Sequence, residues 1–433
     1  HLACMNDQIS QVVRAKITEA AQAGTPELTR RRVSLPSLRG KAMCVIGMRR
    51  AGKTTFLHQC RADALAQGTA PERLIYFSFE DERLADLKAA DLGIIPETHA
   101  RLFPAAAEKE VTFYFDEIQR VPGWESFARR MMDEGGRKLF LSGSSARLLS
   151  REIATSMRGR GWEIVIHPFS FAEYLDHHGR AVPDDTRLLT SRQRTALDHA
   201  FAEYLTCGGF PEAQGLDRAE RDELLQSYVD IILLRDVIER HGIANATALR
   251  QLVRLLLSAP AGLFSVQKFF AEMKSQGIAV TRDTLHTMVA HLEDAFLLHT
   301  MAVATDSERR RNVNPRKCYA ADMALVHAYD RSGRANLGHA LETAVFIELH
   351  RRKAEVGYVK TASGYEVDFL ARCPDGKASL IQVCASLDDP VTREREIRAL
   401  LEAMSEHRRA EALILVAESR TPFPEVPKNV RIQ

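Results

Sequence analysis

Met43-Cys44-Val45-Ile46-Gly47-Met48-Arg49-Arg50-Ala51-Gly52-Lys53-Thr54-Thr55 is the stretch that decides the fold. Its apolar start, over 43–46, is too short for a helix and reads as a buried strand. The strand runs into GxxxxGK[ST], and a helical pattern follows over 54–67. Strand, glycine loop and helix are the setting in which this motif makes a phosphate site. Gly47 and Gly52 free the backbone, so that N–H groups of Arg49, Arg50, Ala51 and Thr55 can converge on phosphate at a helix N-terminus. Lys53 brings a cation to the β- and γ-phosphates, and the Thr54 hydroxyl is a ligand for Mg²⁺.

Outward from this point strands and helices alternate. Strands are expected over 74–79, 111–115, 138–141 and 163–166, and helices after Ala85 and Trp124. That alternation means an α/β fold with a parallel sheet covered on both faces. The strand Thr112-Phe113-Tyr114-Phe115 ends in Asp116-Glu117, two acids placed to hold Mg²⁺ and to activate water: Asp116 polarises the metal shell and Glu117 is the general base. Leu139-Phe140-Leu141-Ser142 puts Ser142 at the end of the next strand as a sensor for the γ-phosphate, ahead of Gly143-Ser144-Ser145. Arg158 and Arg160 follow, and a guanidinium donated by a neighbouring subunit can stabilise transition-state charge.

The 433 residues suffice for about three domains. With a net charge of +2, no global field favours nucleic acid or membrane. The runs Arg30-Arg31-Arg32, Arg309-Arg310-Arg311 and Arg351-Arg352-Lys353 read as solvated surface. Seven cysteines without a CxxC pair argue against a zinc site or a disulfide framework and fit a reducing, cytoplasmic setting. No apolar run approaches the roughly 20 residues of a membrane span. Residues 1–4, ahead of Met5, read as an appended remnant, and 1–28 as an N-terminal segment.

After an expected ATPase core over 29–167, the alternation gives way to amphipathic helices, a helical lid over 168–246. Gly208-Gly209-Phe210-Pro211-Glu212 interrupts them with a turn that Pro211 can end by opening a helix. Three short helices with Ser265 and Thr281 as N-caps, then a strand-like stretch over 296–303, are winged-helix arithmetic for 247–305. Residues 306–433 return to α/β, with a helix over 341–352, strands over 356–360, 366–371 and 379–384, and a helix over 393–404.

Together, Gly47 to Thr54, Phe115-Asp116-Glu117-Ile118-Gln119, Leu141-Ser142-Gly143-Ser144-Ser145, Gly159-Arg160, Pro168-Phe169-Ser170-Phe171-Ala172-Glu173-Tyr174, Gly208 to Glu212 and Leu234-Arg235-Asp236-Val237 carry a resemblance. The chain, after about residue 28, resembles prokaryotic AAA-type ATPases whose C-terminal domain of unknown function joins a winged helix to a PD-(D/E)XK nuclease-like fold. The resemblance implies an AAA+ core with a helical lid, ATP and Mg²⁺ as cofactors, Gly209 and Pro211 near the nucleotide base, and subunits that share ATP sites, up to a hexameric ring.

Nucleases of that type need carboxylates for Mg²⁺ and a lysine to orient water. Glu342 and Asp368 match the expected places, but Gln382 stands where a carboxylate belongs and Cys384 where the lysine belongs. The expectation is therefore a nuclease-like domain without activity. Two functions follow. One is an oligomeric ATP-driven motor or remodeller acting on DNA, with Arg282 and His286 on the recognition helix. The other is a nucleotide-dependent assembly switch acting on a protein partner, favoured by Glu272, Asp283, Glu293 and Asp294 in the same segment.

Overall fold

The computed structural model describes residues 2–143, 159–183, 185, 188–330, 337–417, 426–427 and 429–433. The chain divides into two compact units, His1–His167 with Asp176–Arg180, and Pro168–Leu175 with Ala181–Gln433.

The first unit is built on a parallel sheet of β1 (Ala42–Ile46), β2 (Leu74–Ser78), β3 (Val111–Asp116), β4 (Arg137–Gly143) and β5 (Gly161–Val165), in the order β2-β3-β4-β1-β5. Every residue of β1 is buried, since strands flank it on both sides. This order puts the ends of β1, β4 and β3 side by side. The helix Lys53–Ala66 starts just past β1. Leu2–Gln22 forms a helix whose buried Ile9, Val12, Val13, Ile17 and Ala20 recur at helical spacing against β2 and the helix Ile94–Leu102. The helix expected after Ala85 starts only at Ile94, because the intervening chain makes two short 3₁₀ turns, Glu82–Leu84 and Ala89–Asp91.

The second unit opens with helices. Ser191–Cys207 and Arg218–Ile231 each start on a capping box, Thr190 with Gln193 and Asp217 with Glu220. The latter helix runs on as a π-helix, Ile232–Glu239. Next come the helices Ala246–Ser258, Val266–Ser275 and Arg282–Asp294, the last two capped by Ser265 and Thr281 as their sequence requires. They accompany β6 (Leu263–Phe264), β7 (Leu298–Met301) and β8 (Arg316–Ala320), an antiparallel sheet in the order β6-β8-β7. The central strand of that sheet, β8, lies past residue 305.

The C-terminal sheet has the order β13-β12-β11-β10-β9, from β9 (Glu355–Lys360), β10 (Glu366–Arg372), β11 (Ala378–Cys384), β12 (Glu411–Val416) and β13 (Val430–Ile432). β9, β10 and β11 pair antiparallel, and β11, β12 and β13 parallel. The helix Leu337–Arg351 packs against it, and Phe346 stacks on Tyr319 at 4.2 Å between ring centroids. That stack ties β8 to the C-terminal sheet's core, where Phe369 also lies.

Candidate active site

At the end of β1 the chain turns through Gly47 at φ +145°, and a Cβ there would lie 2.2 Å from the Ile166 carbonyl oxygen. No residue but glycine fits that approach. Gly52 is left-handed, and no side chain caps the helix Lys53–Ala66, so its first-turn N–H groups face outward, as an anion site needs. Lys53 is buried, and its Nζ donates to the carbonyls of Gly47 and Met48 at 3.0 Å each. Arg49 is half-buried, Arg50 exposed with φ +64°, Ala51 buried, and Thr54 and Thr55 exposed.

The loop is held from behind by a residue that the sequence assigned to solvent. Arg31 is 4% exposed; its guanidinium donates to the Ala51 carbonyl at 2.7 Å and to the His167 carbonyl. The corrected reading is a buried brace, since a guanidinium with two carbonyl partners can leave water. Arg351 departs from the surface reading too, with its side chain only 16% exposed and donating to the Pro168 carbonyl. Nothing in an arginine run marks which member turns inward.

Asp116 ends β3 within reach of the loop. Its Oδ2 accepts from Thr54 Oγ1 at 2.9 Å and from Tyr76 Oη at 2.7 Å, and its Oδ1 accepts from Ser142 Oγ. Thr54 and Asp116, the two expected Mg²⁺ ligands, are thus adjacent, and a hard cation between a hydroxyl and a carboxylate suits them chemically. Ser142, the expected sensor, is fully buried and also accepts the Glu117 backbone N–H at 3.0 Å, so it positions both acids.

Glu117 has φ +56°, a left-handed conformation that is uncommon outside glycine and turns its side chain off the strand path. Burial pushes its carboxyl above the ordinary glutamate range; Lys53, Arg49 and a 2.5 Å hydrogen bond from Gln119 Nε2 to Glu117 Oε2 oppose the shift, while Asp116 adds to it. Tyr76 and Gln119 escaped the sequence reading. Tyr76 is visible only once β2 is known to lie beside β3, whereas Gln119 stands in the motif after Glu117 and was given no role there.

Arg160 is half-buried and pairs with Asp133. Arg158, Ser144 and Ser145 lie outside the described residues. Gly209 and Pro211 belong to the second unit, where Gly209 N–H donates to Asp322 Oδ2 at 2.8 Å and its carbonyl accepts from the Phe169 N–H at 2.6 Å. Both backbone groups of Gly209 are therefore engaged inside that unit.

In the C-terminal sheet Glu342 and Asp368 do meet, but around a lysine from another strand. Lys317 Nζ, on β8, lies 3.0 Å from Glu342 Oε1, 2.9 Å from Asp368 Oδ1 and 2.9 Å from Glu366 Oε1. Gln382 donates to Glu396 Oε2 at 2.6 Å, and Cys384 is buried, its thiol pushed up to about 12 chiefly by burial. Among the described residues no group of His, Cys, Asp and Glu is arranged to hold a metal. The positive charge beside these carboxylates comes from Lys317, which no local spacing in the sequence links to Glu342.

Residues 39–175 match the family model described as an AAA domain, and residues 198–336 match a domain of unknown function, DUF8612. The chain is 31% identical over 332 residues to an uncharacterized protein of Haemophilus influenzae, covering 76% of this chain and 79% of that one. A solved structure, the Walker-type ATPase PABY2304 of Pyrococcus abyssi, aligns at 15% identity over 73% of this chain and 94% of that one with a TM-score of 0.38, a likeness too weak to bear on function. The uncharacterized protein MJ1544 of Methanocaldococcus jannaschii is 32% identical over 381 residues, covering 87% of this chain and 81% of that protein. This chain, an AAA-type P-loop ATPase domain followed by a C-terminal region of unknown function, belongs to the same family as these uncharacterized proteins of M. jannaschii and H. influenzae.

Proposed function

We propose that the chain binds Mg-ATP on residues 47–55, hydrolyses it, and works as a homo-oligomer that remodels DNA. The observation that carries the hydrolysis is the meeting of Thr54 and Tyr76 on Asp116 Oδ2, with Glu117 next in the chain, at the open N-terminus of the helix Lys53–Ala66. Mg-ATP, when bound, supplies the phosphoanhydride and a cation that neutralises its developing charge. The loop N–H groups and Lys53 hold the phosphates, and Thr54 and Asp116 hold the metal. Glu117 takes a proton from water at Oε1, since Gln119 engages Oε2. Ser142 fixes Asp116 and the Glu117 backbone, and Arg160, half-buried and paired with Asp133, is the guanidinium offered to a neighbouring subunit, in a ring of up to six.

DNA is the target favoured by the three helices and three strands of 246–320, which read as a winged helix presenting Arg282 and His286 on an exposed helix face. The C-terminal sheet is nuclease-like in this reading, with Gln382 and Cys384 leaving it without activity. A second reading, an assembly switch on a protein partner in the cytoplasm, is favoured by the charge of this segment: Asp283 on that helix and Glu272 on the preceding one are exposed, and Arg282 is engaged by Gln267 at 3.0 Å. The test is steady-state ATP hydrolysis at low salt with no DNA, duplex, single strand or a branched junction. Stimulation by one DNA form supports the remodeller; turnover indifferent to every DNA moves the reading to the switch.

A further inference from the structure

Outside the nucleotide loop, Lys317 stands at the centre of a cluster of carboxylates. A lysine ammonium has three donors and no acceptor. Here Nζ donates to Glu342 Oε1, on a helix, at 3.0 Å and to Asp368 Oδ1, on β10, at 2.9 Å, and a third carboxylate, Glu366 of β10, is ion-paired with it at 2.9 Å. The Lys317 side chain is 3% exposed, and Glu342 and Asp368 are 10% exposed. The carboxylates have further partners that fix them in place: Tyr319 Oη donates to Glu342 Oε1 at 2.9 Å, and the Val383 N–H donates to Asp368 Oδ2 at 2.9 Å. The centre of the cage is filled by an ammonium.

The charges in the cage do not cancel. Three carboxylates face one ammonium, Glu342 and Asp368 from inside and Glu366, with its side chain 37% exposed, from the rim; burial and Asp368 hold Glu342 above the ordinary glutamate range, which favours its neutral form. Burial works against the Lys317 ammonium, yet Asp368, Glu342 and Glu366 outweigh it and hold its proton more firmly than on a free lysine. An oxygen cage of this charge is what a divalent ion selects, but a divalent ion needs its oxygens at about 2.0–2.6 Å and cannot share the centre with Nζ.

We propose that Lys317 is the resident cation of a three-carboxylate centre, so that the protein supplies from its own strand β8 the charge a divalent metal would supply, and the centre takes up such a metal once the ammonium is removed. The lysine comes from the sheet of the three-helix segment and the carboxylates from the C-terminal region. The centre therefore joins the two parts without dependence on metal supply. The inference is independent of ATP binding.

The probe is Mn²⁺ alone, titrated into the full-length, nucleotide-free protein and counted by the electron paramagnetic resonance of the free ion. Lys317→Ala should bind one more Mn²⁺ per chain than the wild type, and the gain should vanish in Lys317→Ala/Asp368→Asn. A folded Lys317→Ala with no gain overturns the proposal. So does a wild type that binds a Mn²⁺ which Asp368→Asn removes, because its centre would then not be filled by the lysine. Should Lys317→Ala fail to fold, with or without Mn²⁺, the second comparison decides alone: equal counts for wild type and Asp368→Asn support the resident ammonium.

Discussion

Lys53 and Asp322 show how far single residues reach. Lys53 holds two loop carbonyls at 3.0 Å, so removing it strips the phosphate cradle of its cation and its brace together. Lys53→Ala should lose at least tenfold in ATP affinity, the loss of about 1.4 kcal/mol or more that a charge-assisted contact represents, as read by fluorescent-nucleotide titration. Asp322 is buried and accepts from the N–H groups of Gly209 and Ala324, at 2.8 and 2.9 Å. Burial nevertheless pushes its carboxyl up to about 6. A carboxyl whose folded value is raised binds its proton more tightly in the folded state, so its contribution is present below the unfolded value near 4 and is lost as pH rises through 6. Hydrogen exchange at residues 204–214, corrected for intrinsic rate, should show local stability falling by about 3 kcal/mol between pH 4 and pH 7 and no such fall in Asp322→Asn. At this scale the sequence was legible where chemistry is local. Gly47, Lys53, Thr54, Asp116 and Glu117 sit in two contiguous runs, whereas Lys317 lies 51 residues from Asp368 and only the fold joins them.

Elements were legible by period and cap. The strand at 43–46, the N-caps Ser265 and Thr281 and the strands β9 to β11 stand within a residue or two of their expected places, because each is announced by its own composition. β8 was missed as part of the three-helix segment, since the helix Glu308–Val313 separates it from β7 and its partners are chosen by pairing across the sheet. The turn at Gly208–Glu212 was read as a break between helices, and its second function is closeness. A Cβ on Gly209 would lie 2.3 Å from the Phe169 carbonyl oxygen, a backbone atom that cannot step aside. Gly209→Ala should cost about 1–3 kcal/mol or more of stability, seen as a lower urea midpoint by far-ultraviolet circular dichroism, with the loss also loosening Phe169.

For the whole molecule, composition and charge excluded little beyond a membrane-spanning helix, and no helix among the described residues is long and apolar enough to cross a bilayer. The near-neutral charge of +2 leaves DNA or protein as the target to be decided by a local surface rather than by a global field. What the fold adds is convergence. Strand order β2-β3-β4-β1-β5 carries Tyr76, Asp116 and Ser142 from three strands to the foot of one helix, and Arg31, far upstream, braces the loop from the other side. The account stands on Glu117 as the base in that arrangement. The most direct test compares wild type with Glu117→Gln in ATP binding and in ATP turnover without DNA. The account predicts unchanged binding and turnover lower by about 10²–10⁴-fold. Turnover in Glu117→Gln at the wild-type rate would contradict it.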